Sequence, residues 1–225
     1  MNYTLVVVFS FSISIAAIIG WIRFRKINLT YYPFLFCIWI AFLNEILSFF
    51  IVQRGFSTAI NDNIYILTES LLITWQFKNW GLFRRAAYLF VLVICAFLVF
   101  WVSECFFING INLTISYFTI FYSFVIVLMS VNIINQELAR ESKNILKNPI
   151  FLLSVAFVIY YTINVIVGIF WLYGLQYNNQ FAMNITAILL YINLLTNLIY
   201  ALAVLWMPIK HEISVATCSP AWFWQ

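Results

Sequence analysis

Three acidic residues of this 225-residue chain, Glu45, Glu69 and Glu104, lie inside long apolar runs, whereas Asp62, Glu137, Glu141 and Glu212 fall in connections or tails where water solvates them. An ionisable side chain in hydrocarbon is costly, so it turns toward a bundle interior and marks a functional position by default. Glu45 falls roughly 4–5 Å beyond the middle of its run, at a helical rise of about 1.5 Å per residue. Glu69 falls roughly 4 Å from the middle of the next run, in the same direction. The two carboxyls therefore share one layer on consecutive antiparallel helices. Two carboxyls at one depth cannot both ionise cheaply, so the pair suits a proton site, a cationic ligand or a hydrogen-bond donor. Glu104 is shallower, roughly 10 Å outward, where it either snorkels to the outer interface or lines the mouth of a pocket.

Other polar residues fall near the same layer: Asn44, Ser123, Asn164, Tyr191 and Asn193. Their neighbours recur at the three- and four-residue spacing that aligns side chains along one helix face. Cys37, Ala41, Asn44, Glu45 and Ser48 make one such stripe, and Tyr65, Glu69, Leu72 and Gln76 another. Ser154, Tyr161 and Gly168 form a third with Asn164, and Thr186, Asn193, Asn197 and Tyr200 a fourth. The Ser and Thr stripes read as packing contacts between helices. The ligand- or proton-binding set is therefore Glu45, Glu69, Asn44, Asn164, Asn193, Tyr161 and Glu104.

The elements that must position these groups follow from composition. Hydrophobic residues make up 65%, charged residues 8% and aromatics 20%, with a mean hydropathy of +1.01. A soluble domain is about 25% charged, so a water-soluble fold, a disordered chain and a coiled coil are excluded. Seven runs reach the roughly 20 residues that cross a bilayer: 3–22, 31–53, 63–80, 86–108, 113–136, 150–174 and 181–207. They are too long and too uniformly apolar for barrel strands. The expected fold is all-α, a seven-transmembrane-helix bundle over 1–210 with a short cytoplasmic tail at 211–225. The third run is the most diluted, by Thr68, Glu69, Ser70, Thr74 and Gln76. The first run lacks the basic start and the cleavage site of a signal peptide, so it reads as a retained helix.

Charge orients the bundle. With the N-terminus outside, ten of the eleven Lys and Arg fall on the inner side and only Arg54 on the outer. The positive-inside rule then places the C-terminus in the cytoplasm. The net charge of +4 is accounted for by anchors beside anionic lipid, with no nucleic-acid partner. Cys37, Cys95 and Cys105 lie in spans and Cys218 in the tail, so no disulfide set or metal-ligand spacing arises. The single histidine, His211, and the absence of a Gly-rich phosphate loop, a Ser-His-Asp set or a CxxC motif argue against an enzyme and against a metal or other cofactor. The prolines, 33, 149, 208 and 220, sit at helix ends or outside the spans. No proline-broken transporter helix is therefore expected.

Several local patterns carry a resemblance. They are Arg23-Phe24-Arg25-Lys26 after the first run, Asn44-Glu45, Glu69, Asn148-Pro149-x-Phe151 with Tyr160-Tyr161, and the Asn193, Asn197 and Tyr200 face. With these the chain, up to about Lys210, resembles a diffuse group of small uncharacterised seven-helix integral membrane proteins of bacteria. The resemblance implies the bacterial cytoplasmic (inner) membrane and brings no activity with it. The expected function is a receptor or sensor with an outward-facing polar pocket, signalling through a cytoplasmic or membrane partner. A small-solute or proton-coupled carrier using Glu45 and Glu69 is the alternative, and a structural or assembly subunit a further one.

Overall fold

The computed structural model describes residues 3–108, 110–139, 145–173 and 179–210. They form eight α-helices: α1 (Tyr3–Ser10), α2 (Ile13–Arg23), α3 (Tyr32–Gln53), α4 (Ala59–Asn79), α5 (Ala87–Ser103), α6 (Tyr117–Ala139), α7 (Pro149–Leu172) and α8 (Asn179–Trp206). Five segments are long and apolar enough to cross a membrane: those of α3, α5, α6 and α7, and Ala187–Trp206 within α8. Large apolar side chains point outward along them, among them Val99 on α5, Phe124 on α6 and Leu195 on α8. Apolar faces this extensive, on helices as long as a bilayer is thick, fit lipid surroundings rather than water. The chain is a multi-pass helical membrane protein.

Helix boundaries follow local chemistry. Pro33 and Pro149 occupy the first turns of α3 and α7, where a missing N–H costs nothing. Asn148 caps α7 by accepting from the Ile150 N–H at 3.0 Å, and its amide donates to Glu137 at 2.6 Å. Glu137 is accordingly buried at the end of α6 rather than solvated in a connection. The first apolar run is not one helix. The Ser12 hydroxyl donates to the Phe9 carbonyl at 2.6 Å, and the Ser12 and Ser14 N–H groups bond three residues back instead of four. Such a serine contact tightens and bends the backbone, which separates α1 from α2.

Helices α2, α3, α4, α6, α7 and α8 pack in a ring, and α5 lies outside it against α4 and α6. α6 and α7 are the most closely associated pair. At Gly168 a Cβ would stand 2.6 Å from the Ile120 side chain, so only glycine permits this approach. α4 carries too many polar residues to qualify as a span by hydropathy alone. Its Asn63, Glu69, Ser70, Thr74 and Gln76 are all buried, while Ile64 and Trp75 are exposed. The polar face is turned into the ring and the apolar face outward.

The helix ends bearing Arg23, Lys78, Lys147 and Lys210 gather at one end of the bundle, here the basic end, and Arg54 lies at the far end. Arg23 donates to the carbonyls of Val204, Leu205 and Met207, capping α8 with a positive charge where its dipole is negative. The segments after α2 and α8 are tied by the Lys210 N–H to Lys26 carbonyl bond at 2.7 Å. Gln76 joins α4 to the start of α3. It accepts from the Phe34 N–H at 3.0 Å and donates to the Thr30 carbonyl at 2.8 Å.

Candidate functional site

Residues of α1, α2, α3, α4, α7 and α8 enclose a cavity of about 90 Å³. Glu45 and Glu69 both line it, together with Asn193. Phe34, Phe157 and Tyr200 also line it, and their rings contact one another at centroid distances of 5.2 to 6.0 Å. These three lie toward the basic end, so an aromatic floor closes the cavity there.

The two carboxyls are held differently. Glu69 is 8% exposed, and its oxygens accept from the Tyr65 hydroxyl at 2.8 Å and the Tyr122 hydroxyl at 3.1 Å. The Tyr161 hydroxyl is directed at the same carboxyl from α7. Tyr65 is one turn away on α4 itself, so the helix supplies one partner and α6 and α7 supply the others. Glu45 is half-buried on α3, and among the described residues its side-chain hydrogen-bond partner is Ser10 of α1.

Ser10 and Glu45 also line a second space, of about 250 Å³, whose walls include Asn44, Ser48, Thr58 and Asp62. These residues lie at the far end of α3 and at the start of α4. The second space is thus a vestibule on the far side, and the Ser10–Glu45 pair stands between it and the inner cavity. Asp62 reaches the vestibule from α4 and accepts from the Thr58 hydroxyl at 2.7 Å.

The remaining residues of the sequence-derived set are placed elsewhere. Asn44 lies in the vestibule wall, where its side-chain oxygen accepts from Asn61 at 2.8 Å. Tyr161 is 1% exposed and stands behind Glu69 rather than on the cavity surface. Asn164 bonds Tyr160 and borders a separate groove between α6 and α7, beside Ser116 and Gly168. Glu104 neither snorkels nor faces a pocket mouth. It is fully buried, and its carboxyl oxygens accept from the backbone N–H groups of Ser116, Tyr117 and Phe118 at 2.8, 3.0 and 2.5 Å. Those are the orphan donors at the start of α6. This cap explains why the helix begins at Tyr117 rather than at 113. Tyr191 is 62% exposed beside Phe9 and lies outside the polar layer. His211, Cys218 and the rest of the tail lie outside the described residues.

Comparison with family models, curated proteins and solved structures finds no match for this chain. The geometry alone carries the functional reading.

Three cavity residues with a hydroxyl were not assigned to the polar layer from the sequence: Ser10, Thr196 and Tyr160. Thr196 stands one turn from Asn193 and beside Asn197, so the polar face of α8 contains the signal for it. Ser10 carries no such signal, because its position depends on the bend at Ser12. Asn197 donates to the Ser12 hydroxyl at 2.8 Å, which ties that bend to α8. Among the described residues no cluster of His, Cys, Asp and Glu has the geometry to hold a metal ion.

Proposed function

We propose that the protein is a non-catalytic seven-span receptor or sensor of the bacterial cytoplasmic membrane. Its N-terminus is outside, its C-terminus is cytoplasmic, and it signals through a partner chain at its basic inner end. In this reading α1 with α2 makes one crossing and α4 another, beside the five long apolar segments. The 21 residues of α4 extend about 31 Å at a rise of about 1.5 Å each, which matches the hydrocarbon thickness of about 30 Å. One observation carries the proposal: the vestibule and the inner cavity meet at Glu45, and the stack ends on the aromatic floor at the basic end. A ligand entering from outside would pass Asp62 and Ser48 and reach two carboxyls without a route onward.

The test is a cysteine at Ser48, in a chain whose native cysteines are replaced by alanine, exposed to a membrane-impermeant thiol reagent on intact cells. The proposal expects labelling without permeabilisation. Labelling only after permeabilisation would reverse the orientation and remove the outward pocket.

A carrier is the second reading, and the bend between α1 and α2 favours it. The bend needs no proline, yet it places Ser10 on the cavity wall, as the interrupted helices of many transporters do. A carrier predicts pH-dependent solute uptake in proteoliposomes that Glu45→Gln or Glu69→Gln abolishes. Absence of uptake for every solute tried would contradict it.

A further inference from the structure

We infer that the cavity binds a small primary organic ammonium ion, held by the Glu45 and Glu69 carboxyls and the Thr196 hydroxyl. This identification rests on the outward-facing pocket proposed above and adds the chemical class of its occupant.

Charge gives the sign. Among the described residues two carboxyls line the cavity and no Lys, Arg or His does, while the vestibule adds Asp62 and again no basic group. An anion would meet uncompensated negative charge along its whole path. A neutral solute would leave Glu45, whose side-chain partner among the described residues is Ser10, without a charged counterpart.

An unsatisfied group points to a ligand independently of the acids. Among the described residues four buried polar side-chain atoms have no hydrogen-bond partner: Trp80 Nε1, Ser123 Oγ, Ser154 Oγ and Thr196 Oγ1. Only Thr196 of these lines the cavity, and it is 1% exposed. A buried hydroxyl without a partner is destabilising, so its persistence at a cavity wall marks a place for a ligand or water atom. An ammonium N–H is a donor that this oxygen lacks, and the carboxyl oxygens, already bonded by tyrosine and serine hydroxyls, keep further lone pairs for the remaining N–H groups.

The walls choose an organic cation over a metal ion. Phe34, Tyr65, Phe157, Tyr160 and Tyr200 contribute rings to the lining, and aromatic faces attract desolvated ammonium groups. A hard divalent cation would require about six oxygen ligands around one point, which such a ring-lined space does not supply. Hydrogen bonding chooses among the ammonium ions. A primary ammonium such as methylammonium or ethylammonium has N–H groups for the Thr196 hydroxyl and the carboxyl oxygens, whereas a quaternary ammonium has none.

The test uses the full chain purified in detergent and titrated calorimetrically with ethylammonium chloride. Tetramethylammonium chloride, sodium chloride, ethanol and sodium acetate serve as comparators. The proposal expects saturable ethylammonium binding, at least about tenfold tighter than tetramethylammonium, and no binding of ethanol or acetate. Glu45→Gln should weaken it about tenfold and Thr196→Val several-fold, with unchanged helical circular dichroism and thermal melting. Equal binding of sodium or tetramethylammonium would overturn the proposal, as would unaltered affinity in Glu45→Gln. If ethylammonium fails to bind while the cysteine at Ser48 is labelled from outside, the ligand class is wrong and the pocket stands. If that cysteine is not labelled from outside, the parent reading itself fails.

Discussion

Glu104 and Glu45 are both acids within apolar helical segments, yet the fold uses them in opposite ways. Glu104, at the end of α5 away from the basic end, is enclosed by backbone, and three N–H groups at the start of α6 converge on it. Asn63 completes that knot. It donates to the Ile111 and Leu113 carbonyls at 3.0 and 2.9 Å and accepts from the Ile115 N–H at 3.2 Å, while its own carbonyl accepts from Trp101. Glu45 faces two spaces and has one side-chain partner among the described residues, and Glu69 lines the inner of the two with tyrosine hydroxyls at its back. A buried acid is therefore not by itself a site. What distinguishes the two regions is whether the neighbouring polar groups are backbone donors that need a cap, or side chains that leave room for something else.

That contrast predicts a ranking of stability effects, each measurable by denaturation in detergent. The largest belongs to Glu104→Ala, which orphans three buried N–H groups; a loss of about 3 kcal/mol or more is expected, since each unsatisfied donor costs about 1–3 kcal/mol. A loss below about 1 kcal/mol would show that water reaches the start of α6 and that the knot is not sealed. Asn63→Ala comes next, at about 2 kcal/mol, because it frees two carbonyls and one N–H of the same connection. Ligand binding should survive both substitutions in the folded fraction.

Gly168→Ala tests the α6–α7 contact that backs the tyrosines around Glu69. The added Cβ meets Ile120, and overpacking of this kind costs about 1–3 kcal/mol. Glu69→Gln keeps one acceptor oxygen for a tyrosine and should cost about 1 kcal/mol while abolishing ligand binding. Glu45→Gln should be the mildest, within about 0.5 kcal/mol, and should still weaken binding. A large stability loss at Glu45 with intact binding would reverse the assignment of the two regions.

The sequence makes the helices legible for a simple reason: apolar runs as long as a bilayer is thick have few alternatives. It also brings Glu45, Glu69 and Asn193 into one candidate layer, because rise per residue converts position into depth. Depth does not say which way a side chain faces. Asn164 lies near the same layer and borders a different groove. Glu104 could not be assigned from its own helix, since its partners lie 12 to 14 residues onward across a turn. Gln76, which reads as dilution of the third run, and Asn63, which reads only as its first residue, are buried connectors to backbone on either side of the membrane layer. Their value depends on loops whose path no periodicity encodes.

Each region carries a native thiol: Cys37 on the cavity wall, and Cys105 beside Glu104 in the knot. Both are buried, at 7% and 1% exposure, so static burial alone barely separates them. The most direct test of the account is the rate at which methyl methanethiosulfonate modifies each cysteine in the folded protein, with the other cysteines replaced by alanine. Reaction at Cys37 should be at least about tenfold faster, because a small reagent can reach it through the vestibule while Cys105 must await unfolding. Equal rates, or a faster Cys105, would contradict an open cavity beside a sealed knot.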